Sequence, residues 1–171
     1  MSRCCRIGVV FFLASFAARP ARADLFLVPW IGGNAGTAAG GSPIDVGAAA
    51  GVSAGGVVDV DAEVGYSPDY WGHGTSVLTA MVDVTIGIPI GPREGLRFRP
   101  YLTGGAGMIR SRVEAVPAPY RADWYETGGA FGGGLAVFTA ARVGVRGDVR
   151  YIQAFSGGLN YWRTAVGVVF R

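Results

Sequence analysis

The sequence predicts an all-β fold: an eight-stranded antiparallel up-and-down transmembrane β-barrel, following a cleaved signal peptide. Three observations predict it. Stretches of alternating residues recur eight times, most of them roughly nine to fourteen residues long, where an ordinary strand has about five or six and a tilted bilayer-crossing strand about nine to eleven. Their polar faces carry glycine, alanine and a few charges, with no lysine anywhere in the chain, a set that suits a narrow enclosed interior better than bulk water. Finally, 29 glycines and 50% apolar residues supply much apolar surface in short pieces, none of them long enough for a membrane helix.

The chain begins with Arg3 and Arg6, an apolar run from Ile7 to Ala18, and the small-x-small triplet Ala21-Arg22-Ala23. This is the form of a signal peptide cleaved after Ala23. Residues 1–23 are therefore expected to be removed, leaving residues 24–171 as one barrel domain. Cys4 and Cys5 leave with the signal, which excludes a disulfide framework or a thiolate nucleophile in the remainder. Of the fifteen arginines, Arg3, Arg6, Arg19 and Arg22 leave too. Eleven then face twelve acids, so a formal charge of +3 becomes −1. No nucleic-acid partner is expected of such a chain.

The first strand is read from Leu25 to Gly32, apolar almost throughout. The second sets Ile44, Val46, Ala48, Ala50 and Val52 against Asp45, Gly47, Ala49 and Gly51. The third opposes Val58, Val60, Ala62, Val64 and Tyr66 to Asp59, Asp61, Glu63 and Gly65. In the fourth, Leu78, Ala80, Val82, Val84, Ile86 and Ile88 oppose Thr79, Met81, Asp83, Thr85 and Gly87. The fifth, Arg97 to Arg110, carries Arg97, Arg99, Tyr101 and Thr103 on one face and Phe98, Pro100, Leu102 and Met108 on the other. The sixth runs from Phe131 to Phe138. The seventh, RVGVRGDVRY from Arg142 to Tyr151, puts Arg142, Arg146, Asp148 and Arg150 opposite Val143, Val145, Val149 and Tyr151. The eighth opposes Trp162, Thr164, Val166, Val168 and Phe170 to Tyr161, Arg163, Ala165 and Gly167.

Alternation alone does not say which face meets water. The charges decide it. Asp45, Asp59, Asp61, Glu63, Asp83 and Asp148 share a face with Arg97, Arg99, Arg142, Arg146, Arg150 and Arg163. Six acids against six guanidiniums can neutralise one another, as enclosed charges must, because desolvation otherwise costs several kcal/mol each. The twelve residues are read as a charge network inside the barrel, with the valines in lipid. Connections after the second, fourth and sixth strands read as tight turns, those after the first, third and fifth as longer loops. Ser111 to Tyr125 is the longest of these. Tyr66, Tyr70, Trp71, Trp124, Tyr125, Tyr151, Tyr161 and Trp162 gather near the loop ends, and Phe98, Phe138 and Phe170 near the turn ends. These positions suit two interfacial girdles.

The stretches FRPYLTGGAGM (Phe98 to Met108) and GGGLAVFTAARVGVRGDVRY (Gly132 to Tyr151) resemble the β-barrel domain of small outer-membrane proteins of the opacity-protein and OmpA-transmembrane type. The resemblance covers most of the chain after the signal. It implies residence in the outer membrane, both termini in the periplasm, insertion by the barrel-assembly machinery and usually no enzymatic activity; no cofactor is expected. The partners expected are outer-membrane lipid and, during insertion, that machinery; an external ligand is not specified. The function expected is structural or surface-interacting, with a lumen filled by side chains. The alternatives are a narrow porin-like channel for small solutes and a soluble periplasmic β-sandwich or lipocalin-like binding protein.

Other chemistry finds little support. His73, the one histidine, stands in the loop sequence WGHGTS with Ser76 and Asp69 or Asp83 near it, the residue types of a lipid A-modifying hydrolase. Flanking glycines and loop placement make a hydrolase reading weak. One histidine without cysteine leaves carboxylates alone for a metal, and the Asp59-x-Asp61-x-Glu63 row reads better as facing arginines. The runs GGNAGTAAGG and GGAFGGGL lack the Gly-Lys-Ser/Thr ending of a phosphate loop. The contact surface expected is the third long loop, with Arg112, Glu114, Arg121, Asp123 and Trp124.

Overall fold

A computed structural model describes residues 23–36, 44–92, 95–115, 120–139, 142–156 and 158–171. The signal expected at residues 1–23 falls, but for Ala23, outside them. The elements are β1 (Ala23–Ala35), β2 (Ile44–Ala54), β3 (Val58–Pro68), β4 (Thr75–Gly87), β5 (Arg97–Ala115), β6 (Tyr120–Phe138), β7 (Val143–Ala154) and β8 (Asn160–Phe170). Each pairs antiparallel with its neighbour, and β1 with β8, so the sheet closes. Closure leaves no unpaired edge, which is the condition for strands to cross hydrocarbon.

The register gives the stagger. A row of paired residues runs from Leu25 through Val52, Val60, Val84, Gly104, Phe131, Tyr151 and Trp162, and returns to β1 at Ala35. One circuit thus climbs ten residues along β1, from Leu25 to Ala35. Such stagger in eight strands goes with a tilt of about 40° and an interior just wide enough for side chains.

The faces are inverted relative to a protein folded in water. Leu25, Ile31, Val82, Ile86, Leu102, Phe131, Val145 and Val166 are exposed, Leu102 at 73%. Asp45, Asp83, Arg150 and Arg163 are at most 1% exposed. Around the barrel's waist the polar strand faces turn inward, and an apolar band encircles the outside. Between β2 and β3 the chain reverses over Gly55 and Gly56, both at positive φ (62° and 72°), with the Val57 amide donating to the Ala54 carbonyl at 3.2 Å. Two successive left-handed residues match the twist of the flanking strands, and glycine takes that conformation without strain.

Three expectations need correction. The segment Ser111 to Tyr125 is mostly ladder: β5 and β6 stay paired from Arg97↔Phe138 to Ala115↔Tyr120. Polar and apolar residues keep alternating there, so the strands continue past the rest of the barrel. The connections accordingly do not sort by length. Those at the far end span 36–43, 69–74, 116–119 and 155–159, those at the end bearing both termini 55–57, 88–96 and 139–142. Finally, Phe138, Tyr70 and Tyr161 point inward, at 2%, 0% and 1% exposure, and so belong to the interior rather than to a girdle. Phe98 and Phe170 at one end, and Tyr66 and Trp162 at the other, face outward.

Candidate functional site: the charged lumen and the projecting hairpin

The lumen is layered. At the terminus-bearing end, Phe26, Val28, Ala49, Tyr101, Ala136, Phe138 and Val169 form one apolar cluster. At the far end, Tyr70, Val77, Met81, Ile109, Ala130, Ile152, Ala154, Leu159 and Tyr161 form a second. Each lies where inward positions near the strand ends happen to be apolar. Between them the inward positions of β3, β4, β7 and β8 are acids and arginines.

Arg150 is the hub. Its Nη1 donates to Asp83 Oδ2 at 2.6 Å and lies 3.2 Å from Glu63 Oε2, while its Nε donates to Asp148 Oδ1 at 3.2 Å. Arg163 donates to the other oxygen of Glu63 at 2.5 Å and stacks 4.3 Å from the Trp30 ring centre. Arg146 donates twice to Asp148 Oδ2, at 2.9 and 3.2 Å, and the Tyr101 hydroxyl donates to the same oxygen at 2.8 Å. Nearer the termini, Arg99 donates to Asp59 and to the Val57 carbonyl. Charge-assisted bonds of this kind are the strong ones, and burial makes each depend on its partner.

Ten of the twelve residues singled out from the sequence line this interior: Asp45, Asp59, Asp61, Glu63, Asp83, Arg99, Arg146, Asp148, Arg150 and Arg163. Arg97, half-buried, and Arg142, exposed, stand apart at the terminus-bearing mouth, where Arg97 lies 5.2 Å over the Phe138 ring. They sit at or past a strand end, beyond the enclosed segment. Six carboxylates therefore meet four guanidiniums. Asp45 and Asp61 are the two without an ion pair among the described residues, and each keeps a buried oxygen without a hydrogen-bond partner. Carboxylate oxygens of Asp61, Glu63 and Asp83 lie within 4.8 Å of one another, with Arg150 against the latter two. The space left among Phe26, Asp59, Arg99, Tyr101, Phe138 and their neighbours is about 20 Å³, room for about one water molecule.

Packing is tight enough to dictate glycine. A Cβ on Gly105 would collide with the Asp83 carboxylate and the Val82 carbonyl. Gly105→Val is accordingly expected to cost about 1–3 kcal/mol, the usual range for overpacking. The readout is a lowered urea midpoint of the barrel in phospholipid vesicles, with Gly104→Val, where a Cβ meets little, as comparison.

Outside the lumen, β6 residues beyond Gly128 have no partner on β7, and β5 residues beyond Val113 none on β4. The two strands thus project as a hairpin. On its outer side Asp123 accepts from Arg110 (3.1 Å), Arg112 (3.0 Å) and Arg121 (3.3 Å). The Arg112 bond foremost, with Arg110 beside it, holds the Asp123 carboxyl below the usual carboxylate range. On the inner side Trp124, with Trp71, Val113, Ser156 and Leu159, borders a hollow of about 570 Å³. The sequence reading placed Arg112, Glu114, Arg121, Asp123 and Trp124 here but missed Arg110, which it put at the strand's end.

His73 is fully exposed at the β3–β4 connection, 3.7 Å from Asp69. Ser76 lies apart, in the ladder opposite Pro68.

A family model described as the outer membrane protein beta-barrel domain matches residues 8–171. No curated protein matches the sequence. Among solved structures, the N-terminal β-barrel domain of Pseudomonas aeruginosa OprF is similar at a TM-score of 0.62 and 16% identity, covering 87% of this chain and 98% of that one. Neisserial surface protein A is similar at 0.62 and 10%, covering 85% and 94%. Ail, the attachment invasion locus protein of Yersinia pestis, is similar at 0.52 and 9%, covering 89% and 99%. At such identities the likeness speaks for the fold.

Proposed function

Because this chain belongs to the outer membrane protein β-barrel domain family and so resides in the outer membrane, we propose that it serves there as a structural and surface-interacting barrel whose lumen is closed to solutes. The observation that carries this is the layered interior: a belt of paired charges between two apolar clusters. A crosslinked core of this kind favours a rigid body over a passage. The projecting β5–β6 hairpin supports the surface role, since it offers aromatic and charged side chains beyond the apolar band. The words "surface protein" and "attachment" in the names of two structurally similar proteins point the same way. In this reading outer-membrane lipid surrounds the barrel, the barrel-assembly machinery inserts it, and the precursor is processed after Ala23.

Planar-bilayer recording tests the closed lumen. Purified protein is expected to give no steady single-channel steps at neutral pH. Regular steps would overturn the reading in favour of a narrow channel for small solutes.

A further inference from the structure

Side chains on the projecting hairpin continue the alternation of the barrel wall. On β5 the outward positions Leu102 and Met108 are followed by Arg110, Arg112 and Glu114. On β6 the outward Phe131 is followed towards the tip by Thr127, Tyr125, Asp123 and Arg121. The register pairs Arg110 with Tyr125, Arg112 with Asp123 and Glu114 with Arg121. The arginines thus share the face that meets lipid lower down, and not the face above the lumen.

Their height follows from the strand geometry. A strand residue advances about 3.3 Å along its axis, which at a tilt of about 40° is about 2.5 Å of height. Exposed Tyr66, Met108 and Trp162 mark the upper rim of the apolar band. Arg110, two residues past Met108, stands about 5 Å above that rim, and Arg112 about 10 Å. The headgroup layer of a bilayer is about 5–8 Å deep on each side, and an arginine side chain readily reaches a few ångströms along a surface.

The cluster is also built to take a second anion. Each guanidinium has five N–H donors, and Asp123 takes one from each of the three. Glu114 adds a looser contact with Arg112 at 3.8 Å. Three positive charges against these two leave one in surplus, while Asp123 draws the guanidiniums together. Arg110 lies 5.6 Å over the Tyr125 ring, an aromatic suited to the membrane–water boundary. Converging guanidiniums bind phosphate oxygens in pairs of parallel hydrogen bonds.

We propose that Arg110 and Arg112 form a binding site for phosphate groups of lipid headgroups in the outer leaflet, with Arg121 standing above the headgroup layer and joined to them through Asp123. The site rests on membrane placement and on the hairpin, and is independent of whether the lumen conducts.

Native mass spectrometry of the full chain in non-ionic detergent tests it, with bisphosphorylated lipid A and the same lipid lacking its phosphates as probes. The protein is expected to retain the phosphorylated lipid at least tenfold better. Arg110→Gln/Arg112→Gln/Arg121→Gln is expected to bind both lipids alike while keeping heat-modifiable migration on gels. If that variant does not fold, Arg112→Gln alone is expected to lower the preference at least threefold. A wild-type protein without preference, a preference that survives these substitutions, or displacement of the lipid by equimolar inorganic phosphate would overturn the proposal. The last result would indicate a site for free anions.

Discussion

Arg150→Met is expected to destabilise the folded barrel by about 3–5 kcal/mol, the range for removing one partner of a buried ion pair. Arg150 is 1% exposed and touches Glu63, Asp83 and Asp148. Methionine fills much of the same volume but leaves three carboxylates with one fewer cation. Glu63 retains Arg163, and Asp148 retains Arg146 and Tyr101. Asp83 has no other ion-pair partner among the described residues and carries most of the loss. The double variant Arg150→Met/Asp83→Asn is therefore expected to recover a good part of it, because an amide in place of the orphaned carboxylate costs less to bury. Urea titration of all three proteins in phospholipid vesicles measures both effects. A single variant as stable as the parent, or a double variant no better than the single, would show that Arg150 does not neutralise this site.

The second large effect concerns the outer surface. Val82 is 59% exposed and lies midway on β4 between Ile86 and Leu78, both in the apolar band. Val82→Arg is expected to cost about 2–4 kcal/mol, the range for arginine on the lipid face near the bilayer midplane, with the penalty falling to about 0–1 kcal/mol at the interfaces. Val82→Leu is expected to be nearly neutral. The same titration distinguishes them. For a barrel standing in water the arginine would be harmless, since an exposed valine would then be the unfavourable residue. An unchanged midpoint for Val82→Arg would thus remove the membrane from the account.

Much of this fold was legible because its two faces obey opposite chemistries. Asp59, Asp61 and Glu63 against Val58, Val60 and Val64 fix which side is enclosed once the charges are required to find partners. What alternation does not contain is height. Arg97 and Arg142 share the inward face with Arg146 and Arg150, yet lie at the mouth, and only the ten-residue stagger around the sheet separates the two levels. Phe138, Tyr70 and Tyr161 were misplaced for the same reason: near strand ends, aromatic residues occupy both faces. The extension of β5 and β6 was present in the sequence as the continued alternation of Arg110, Arg112 and Glu114. Its polar composition is that of an exposed loop, although the alternation is that of a strand. The hub role of Arg150 and the stacking of Arg163 on Trp30 depend on strands distant in sequence, and no local pattern announces them.

The ion pairs of the lumen have one more consequence. Arg163 on β8 meets Glu63 on β3 across 100 residues of chain, and Arg150 meets Asp83 across 67. Until the final hairpin arrives, Glu63 and Asp83 have no counterion, and the half-built wall would carry naked charge towards the acyl chains. Zipping the seam and quenching that charge are then a single step, so the assembly pathway has no comfortable resting place short of the finished cylinder.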